Sequence, residues 1–343
     1  MNNEKPNSPL RKKFTIADIA DRANVSKSTV SRVINGSTPV NQEKREAVLA
    51  AMKETGFEPN FFAQSLASGQ SKTIGVLTQN TGSSNYDAIS QGILLCLTQS
   101  PYSPIFADGQ WKPDVGDAAV STLLARKIDG LIVIGSALLQ DELNRVSQIL
   151  PTVVVGREID TLENQCLYID NEQAGYDATK HLIDLGHRRI AHITGTKGHQ
   201  DSLRRLAGYR RALTEANIEI DEAIICQGQF SDGNSGAKAV EMLIEKGCEF
   251  TALFASNDLL AFGARLALYR KGLKVPEDIS IIGFDDQEES AFCTPPLTTV
   301  KQPACEMGRA AAEVLLKLIS GQEYQMPTPP AEIIVRESTQ ART

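Results

Sequence analysis

The stretch that decides the fold of the N-terminal part is Val25-Ser26-Lys27-Ser28-Thr29-Val30-Ser31-Arg32-Val33-Ile34-Asn35. Before it, Ile16, Ile19 and Ala20 recur at helical spacing and predict a first helix with an apolar face. Asn24 tolerates the left-handed conformation that a tight turn requires. Ser26 is a good N-cap for a second helix. The pattern therefore predicts a helix-turn-helix.

The second helix is predicted to have one apolar and one polar face. Val30, Val33 and Ile34 share the apolar face. The opposite face is short, polar and cationic, and carries Lys27, Ser28, Thr29, Ser31 and Arg32. Such a face at a helix N-terminus suits the major groove of DNA, where side chains reach base edges and phosphates. An ordinary amphipathic helix with a solvated face has the same pattern, so the helix alone leaves both interpretations open.

A third helix is predicted over residues 42–55, with Val48, Leu49 and Met52 apolar and Gly56 as its C-cap. The pattern Val25-Ser26-x-x-Thr29-Val30-Ser31-Arg32-Val33-x-Asn35, followed by Gly56-Phe57-x-Pro59-Asn60-x-x-Ala63-x-x-Leu66, resembles the headpiece and hinge of the lac repressor (LacI/GalR) family. This ordered, gapless pattern is more specific than a lone helix-turn-helix. The resemblance extends from about Phe14 to Glu337.

The resemblance implies a DNA-binding headpiece over residues 14–59 and a hinge helix over 60–70. In the family the hinge folds when two copies meet in the minor groove, where a leucine at the position of Leu66 wedges between base pairs. The DNA-binding residues implied in this chain are Thr15, Ser26, Lys27, Ser28, Thr29, Ser31, Arg32, Asn35, Asn60, Ala63 and Leu66. Ser68-Gly69 stands where many relatives carry Arg or Lys, which weakens the expected phosphate contacts of the hinge.

The charge distribution agrees with a DNA-binding N-terminus. The 343-residue chain has net charge −7, but residues 1–70 carry ten Lys/Arg and seven Asp/Glu, and the remaining 25 basic and 35 acidic residues leave the rest at −10. Residues 1–13 form a polar, basic arm that we predict to be disordered. A domain charge of +3 is common among proteins with other functions, so this signal is weak.

No apolar run is long enough to span a membrane, and the N-terminus lacks the apolar core of a signal peptide. We therefore predict a cytoplasmic, nucleoid-associated protein. The six cysteines are dispersed, without a C-x-x-C pair, and are expected to be reduced. No histidine has neighbours that suggest a metal site, so we predict neither a metal nor a cofactor.

From Thr73 onward, short apolar runs alternate with helical patterns. The runs predicted as strands are 73–77, 104–107, 130–134, 152–155, 189–193, 223–226, 252–255 and 279–284, with a last strand near 333–335. This alternation predicts an α/β core of parallel sheets covered on both faces. Many α/β enzymes share it, so it predicts fold class and not function.

The resemblance implies an effector-binding and dimerisation core over 71–343, made of two subdomains of the periplasmic-binding-protein type. We expect the N-subdomain at about 71–160 and 292–326, and the C-subdomain at about 161–290 and 328–340. The three crossovers are placed near 158–165, 289–294 and 325–330. An effector is expected in the cleft between the subdomains, at the carboxyl ends of strands.

Polar and aromatic residues just after strands are the candidates for effector binding: Tyr86, Asp108, Arg205, Phe230, Asn257 and Asp285. Arg205 stands where relatives carry a ligand-binding arginine, and its guanidinium suits vicinal hydroxyls or a carboxylate. Asn80 and Trp111, the only tryptophan, are further candidates. Gly156 stands where relatives often place a polar cleft residue, so either a contact is missing or Arg157 replaces it.

Each candidate also has a purely structural interpretation. Arg205 could form a surface salt bridge, and Tyr86 and Phe230 could be core aromatic residues. Asp258 fits the N-cap of a following helix better than a ligand contact. The set as a whole favours a neutral, hydroxyl-rich ligand over a purine. It most resembles repressors that respond to sugars, β-glucosides in particular.

These features predict a homodimeric repressor of carbohydrate-utilisation genes, which binds double-stranded operator DNA with an affinity set by a small sugar. A corepressor-dependent repressor or activator with a non-sugar effector is the alternative. A sugar-modifying enzyme would leave the headpiece unexplained, and the chain lacks the common catalytic motifs. A sugar-transport protein would need a signal peptide. We therefore predict that the protein is not an enzyme and has no membrane partner.

Overall fold

The structure is a computed structural model that describes residues 14–35, 39–58, 69–135, 137–327 and 329–342. The chain divides into two compact units, Met1–Lys72 and Thr73–Thr343. The predictions of a disordered arm over 1–13, of a hinge helix over 60–70 except its last two residues, and of DNA contacts by Asn60, Ala63 and Leu66 fall outside the described residues.

The first unit contains the three predicted helices, α1 Ile16–Arg22, α2 Lys27–Asn35 and α3 Gln42–Thr55. Asn24 adopts the left-handed conformation between α1 and α2, with φ 49°. Gly56 ends α3 in the same conformation, with φ 61°, and the amide of Phe57 then donates to the carbonyl of Met52. The turn residues therefore act as the sequence predicts.

The small core of this unit consists of Ile19, Ala20, Val30, Val48 and Ala51. Two expected members of the apolar faces are exposed instead, namely Ile16 at 39% and Leu49 at 48% of their surface. Where three short helices pack together, only one narrow stripe of each helix reaches the centre.

The second unit contains two sheets. Within the described residues its strands are β1 Thr73–Thr78, β2 Ser103–Asp108, β3 Gly130–Ile134, β4 Thr152–Val155, β5 Cys166–Leu167, β6 Ile190–Thr194, β7 Ile225–Gln227, β8 Ala252–Ala255, β9 Ser280–Asp285, β10 Thr298–Lys301 and β11 Glu332–Ile334. The N-subdomain sheet has the order β2-β1-β3-β4-β5, and the C-subdomain sheet has the order β11-β10-β9-β8-β6-β7.

All neighbouring strands are parallel except the β10–β11 pair. The central strands β1, β3, β4 and β8 are buried along their whole length. Helices cover the sheets, which is why these strands are continuously apolar. The helices of this unit are α4 Ser84–Leu97, α5 Pro113–Ala125, α6 Gln140–Ser147, α7 Asn171–Asp184, α8 Gln200–Glu215, α9 Gly233–Glu245, α10 Asp258–Arg270, α11 Glu289–Phe292 and α12 Ala304–Ser320. The predicted fold class is confirmed.

The first two crossovers lie later in the chain than predicted. β5 pairs with β4, so the chain leaves the N-subdomain sheet after Leu167 and not within 158–165. β10 pairs with β9, so the second crossover follows Lys301 and not 289–294. The third crossover, predicted near 325–330, joins α12 to β11. In the same way the strand predicted at 223–226 starts at Ile225, because a 3-10 turn occupies Glu222–Ile224.

Close packing of α7 on α8 fixes the helix that carries the candidate Arg205. A Cβ on Gly175 of α7 would lie 2.5 Å from the carbonyl oxygen of Arg205. A Cβ on Gly208 of α8 would lie 2.0 Å from the carbonyl oxygen of Glu172. Glycine is therefore required on both helices for this approach.

Candidate functional sites

The polar face of α2 carries a cluster of hydroxyl groups at the helix N-terminus. Ser26 Oγ lies 2.7 Å from Ser28 Oγ and 2.9 Å from Thr29 Oγ1, and it accepts from the amide of Thr29 at 3.1 Å. Ser26 is thus the predicted N-cap. Lys27 and Arg32 are exposed on the helix that these hydroxyls begin. Hydrogen-bond donors at a helix N-terminus, together with the two exposed cationic side chains, suit contacts to phosphates and base edges.

Ser31 is half-buried on α2, and Asn35 is its last residue. Thr15 is the N-cap of α1 in a capping box with Asp18. The Thr15 amide and hydroxyl both donate to Asp18 Oδ2, at 2.7 Å each. These bonds hold the start of α1, so any phosphate contact of Thr15 would compete with them.

Arg205 lies in the cleft of the second unit and is only 3% exposed. Its Nε donates to Asn171 Oδ1 at 2.8 Å, and its Nη1 donates to the carbonyl of Ser256 at 2.5 Å. The guanidinium also lies 3.5 Å above the centre of the Phe284 ring. The surface salt bridge considered for this residue is excluded, because Arg205 is a buried arginine held from several sides.

Asp285 lies next to Arg205, at the carboxyl end of β9. Its Oδ1 is 3.9 Å from Arg205 Nη1 and accepts from Gln302 Nε2 at 2.6 Å. Burial raises the pKa of Asp285 to about 6, although Arg205 and the hydrogen bond from Gln302 act against the rise. Asp285 has φ 107°, so the backbone turns sharply where the strand enters the cleft.

Aromatic rings form a row across the cleft. Trp111 lies 6.1 Å from Tyr86 and 4.9 Å from His199, and His199 lies 5.2 Å from Phe230, all measured between ring centroids. Tyr86 and Trp111 belong to the N-subdomain, whereas His199 and Phe230 follow β6 and β7 of the C-subdomain. Burial raises the pKa of the Tyr86 phenol far above its usual range, with the Asp201 and Asp285 carboxylates adding to the rise, so Tyr86 stays a hydrogen-bond donor.

Asn257 has a structural role in this structure. It is the N-cap of α10, where its Oδ1 accepts from the amide of Leu260 at 3.0 Å. Its Nδ2 donates to the carbonyl of Phe230 at 2.9 Å. Both ends of the amide are occupied, so Asn257 positions Phe230 and a direct contact with an effector is not supported. The N-cap was predicted one residue later, at Asp258.

Asp258 is instead the first residue of α10 and is fully buried. Its carboxylate accepts from the hydroxyls of Thr299 at 2.6 Å and Ser290 at 2.7 Å, and from the amide of Gln287 at 2.8 Å. Burial and the nearby Asp285 raise the pKa of Asp258 to about 7. The residue ties α10 to the segments on either side of α11.

The carboxylate of Asp108 is also occupied by hydrogen bonds within the protein. Its Oδ2 accepts from the amide and hydroxyl of Thr81, at 2.8 and 2.6 Å, and its Oδ1 accepts from the amide of Gln110 at 2.8 Å. These hydrogen bonds outweigh its partial burial and lower its pKa. The predicted effector contact is therefore not supported, whereas a role in shaping the loop before Trp111 is. Asn80 is half-buried in the loop that Thr81 continues.

Sequence reasoning missed several residues of the cleft. His199 caps α8, and Asp201 in the first turn accepts from Asn171 Nδ2 at 3.2 Å. Burial lowers the pKa of His199, with Asp201 opposing and Arg205 and Arg157 adding to the effect. Arg157, which the sequence offered as a replacement for a polar residue at Gly156, is half-buried after β4 and donates to the carbonyl of Leu138 at 2.7 Å. Asn171 lies four residues after the end of β5, so recognition of that two-residue strand would have made Asn171 a candidate.

The cleft and the exposed helix face together define a class, namely DNA-binding regulators with a ligand-binding core. Two family models match the chain, "Bacterial regulatory proteins, lacI family" over residues 15–60 and "Periplasmic binding protein-like domain" over residues 179–339. The HTH-type transcriptional regulator AscG of Escherichia coli (strain K12) is 34% identical over 332 residues, covering 94% of this chain and 98% of AscG.

Two solved structures show the same similarity. The lac repressor dimer bound to operator and the anti-inducer ONPF has 31% identity and a TM-score of 0.87, covering 96% of this chain and 100% of that one. The complex of the transcriptional regulator CelR with cellobiose has 32% identity and a TM-score of 0.70, covering 95% of this chain and 100% of that one.

The chain belongs to the lacI family of bacterial regulatory proteins. It is a DNA-binding transcriptional repressor with a core of the periplasmic-binding-protein type, as the sequence resemblance implied. The relatives named above are regulators and not enzymes. In the described part of the chain, no helix has the length and apolar character needed to cross a membrane.

Proposed function

We propose that the protein represses carbohydrate-utilisation genes and that a small sugar in the cleft controls its affinity for operator DNA. The observation that carries this proposal is the pairing of buried Arg205 with Asp285 beside the ring of Phe230. The guanidinium is 5.4 Å from the centre of that ring and 3.9 Å from the carboxylate. Such a group can bind vicinal hydroxyls through the charged pair while a pyranose ring packs on the aromatic face.

The hydrogen bonds of Arg205 support a ligand role for the rest of its guanidinium. Nε and Nη1 have acceptors among the described residues, which leaves Nη2 as the arm for a ligand. The phenol of Tyr86 adds a donor from the other subdomain. A site with a carboxylate, a guanidinium and a phenol favours a neutral polyol, because each group can pair with a hydroxyl. Since CelR is solved with cellobiose, β-glucosides are the first ligands to test.

For the DNA, we propose that Lys27, Ser28 and Arg32 contact bases and that Ser26, Thr29 and Ser31 contact phosphates. The first three side chains are exposed or lie at the exposed N-terminus of α2. Base contacts specify sequence, whereas phosphate contacts affect all sequences alike. Replacing Lys27 and Ser28 should therefore change which operator sequence is preferred. An equal loss of affinity for all DNA sequences would contradict this assignment.

We also propose that the core forms a homodimer through exposed apolar side chains. Tyr269 at the end of α10 is 80% exposed, and Phe292 at the end of α11 is 77% exposed. Leu94 and Leu95 on α4 are exposed in the N-subdomain. Apolar side chains of this size on two subdomains fit an interface that spans both. Tyr269→Glu should shift sedimentation from dimer to monomer, and a tetramer at micromolar concentration would contradict the proposal.

The central experiment is fluorescence-anisotropy binding to the DNA upstream of the protein's own gene, with and without a panel of mono- and disaccharides including cellobiose. We expect tight binding that one sugar weakens by about 5- to 150-fold, the usual range for coupling between two sites. Asp285→Asn should keep DNA binding and lose this response. A full response in that variant would remove Asp285 from the site, and indifference to every sugar would reject the proposed effector.

A further inference from the structure

We propose that Trp111 and His199 are positioning residues that hold the cleft closed by direct contact between the two subdomains. Only the part of this proposal that concerns effector affinity rests on the proposed function. The two rings meet edge to face, with centroids 4.9 Å apart and an interplanar angle of 66°. This geometry is one that aromatic pairs prefer, and such a pair changes an equilibrium by about 2- to 12-fold.

The strand order puts this contact at the end of the cleft that opens most. Trp111 follows β2, the outer strand of the N-subdomain sheet, whereas the first crossover follows β5 at the opposite edge. A point far from a hinge moves farther than a point near it when the subdomains separate. The Trp111–His199 contact is therefore the one most sensitive to opening.

The N-subdomain holds Trp111 in a fixed, costly backbone conformation. Gln110 and Trp111 both lie in the left-handed region, with φ 53° and 55°. For residues other than glycine this conformation persists only where the surroundings enforce it. Asp108 supplies that restraint by accepting from the amide of Gln110 at 2.8 Å. The loop thus projects the indole ring toward the other subdomain.

The C-subdomain holds His199 in a matching way. As N-cap of α8, His199 accepts from the amide of Asp201 at 3.3 Å. Its ring also packs against Phe230 of the same subdomain, with centroids 5.2 Å apart and an interplanar angle of 86°. The side chain is 17% exposed. Both halves of the contact are therefore built before the subdomains meet.

A second contact between the subdomains lies nearer the hinge. Arg204 of α8 pairs with Glu158, which follows β4, and Glu158 also accepts from the hydroxyl of Tyr168 at 2.9 Å. Because β4 adjoins β5, this pair lies beside the first crossover. Loss of the Trp111–His199 contact should therefore open the mouth of the cleft without separating the subdomains.

The chain offers a direct readout, because Trp111 is its only tryptophan. Quenching of its fluorescence by acrylamide reports how much solvent reaches the contact, with no added label. The variants are chosen to separate the ring of His199 from its capping role. His199→Asn keeps an N-cap acceptor and removes the ring, whereas His199→Phe keeps a ring and removes the acceptor. His181→Asn on α7 is the matched control outside the cleft.

In the full-length protein without ligand, we expect acrylamide to quench His199→Asn more strongly than the wild type. His199→Phe and His181→Asn should match the wild type. Equal quenching of His199→Asn and the wild type would overturn the proposal, and so would increased quenching in His199→Phe alone, because the cap and not the ring would then matter. Circular dichroism confirms that each variant is folded before the comparison.

Cellobiose is then added as the probe. If it binds the closed form, its apparent Kd should rise in His199→Asn, by at most about 12-fold, because less of that variant is in the competent state. An unchanged Kd beside increased quenching would show that the contact does not support binding, and would overturn that part. If the wild type does not bind cellobiose, the proposed β-glucoside effector fails while the quenching comparison still decides the contact.

Discussion

Replacing Arg205 with methionine tests the central claim that this arginine organises the cleft. The change removes two hydrogen bonds from a charged donor, to Asn171 Oδ1 at 2.8 Å and to the Ser256 carbonyl at 2.5 Å. Each is worth about 1.5–3 kcal/mol. Burial of the apolar methionine side chain regains roughly 1–2 kcal/mol of this stabilisation. The expected net loss in the free energy of unfolding is therefore about 1–5 kcal/mol.

A double variant that also replaces Asp285 makes this prediction more specific. Without Arg205 its carboxylate loses the cation at 3.9 Å and stays buried. Adding Asp285→Asn to Arg205→Met should therefore restore part of the lost stability, with a coupling energy of about 0.5–3 kcal/mol. The double variant removes the uncompensated charge, which is the costly result of breaking a buried pair from one side.

Urea unfolding followed by circular dichroism measures these free energies. Arg210→Met is the matched control, because Arg210 lies on the same helix and pairs with Glu222 at the surface. That pair should contribute less than about 1 kcal/mol. The reasoning would be refuted if Arg205→Met were as stable as Arg210→Met, or if Asp285→Asn failed to improve the Arg205→Met variant.

Three further results are expected. Asn257→Ala should lower the free energy of unfolding by about 1–3 kcal/mol in urea unfolding, because it removes the N-cap of α10 and the hydrogen bond to the Phe230 carbonyl. A loss below about 0.5 kcal/mol, the low end for removal of an N-cap, would count against this role. Gly195→Ala should abolish the sugar response in the anisotropy assay while DNA binding persists, because the Cβ of the alanine would lie 2.1 Å from the Phe230 ring. An intact response would contradict this prediction and show that the ring can move. The pKa of Asp258 is raised from 3.8 to about 7, so its contribution to stability is complete below about 4 and is lost as pH rises through about 7. Asp258→Asn should make urea-unfolding stability fall less steeply over that window, where Asp285, with a pKa of about 6, still contributes. An unchanged slope would contradict the assignment.

The sequence predicts most strands of the core because they are buried on both faces and therefore continuously apolar. It does not reveal β5, which has only two residues, or β10, whose Thr298, Thr299 and Lys301 are polar. Thr299 is buried in β10 because its hydroxyl donates to Asp258. These two strands set where the chain crosses between subdomains, so both crossover predictions were wrong by several residues.

The candidate site was predictable where a residue's chemistry fits few other roles. Arg205 and Asp285 do lie together in the cleft, and Phe230 lies beside them. Asn257 was misjudged because an asparagine after a strand suits a ligand and a helix N-cap equally well. His199 was overlooked because its neighbours Trp111 and Phe230 are distant in sequence, and only the packing of the two subdomains brings the three rings together.

The antiparallel strand β11 has a consequence for how the protein is made. Residues after it complete the C-subdomain sheet: the Ser338 hydroxyl donates to the carbonyl of Ile281 at 2.6 Å, and the Thr298 amide donates to Ser338 Oγ at 2.8 Å. On the ribosome, N-terminal units fold first. The headpiece helices can therefore form early in translation, whereas β9 and β10 wait for a segment synthesised 57 and 40 residues after the strand residues that it contacts. A nascent chain would acquire its DNA-reading part well before the part that senses the effector.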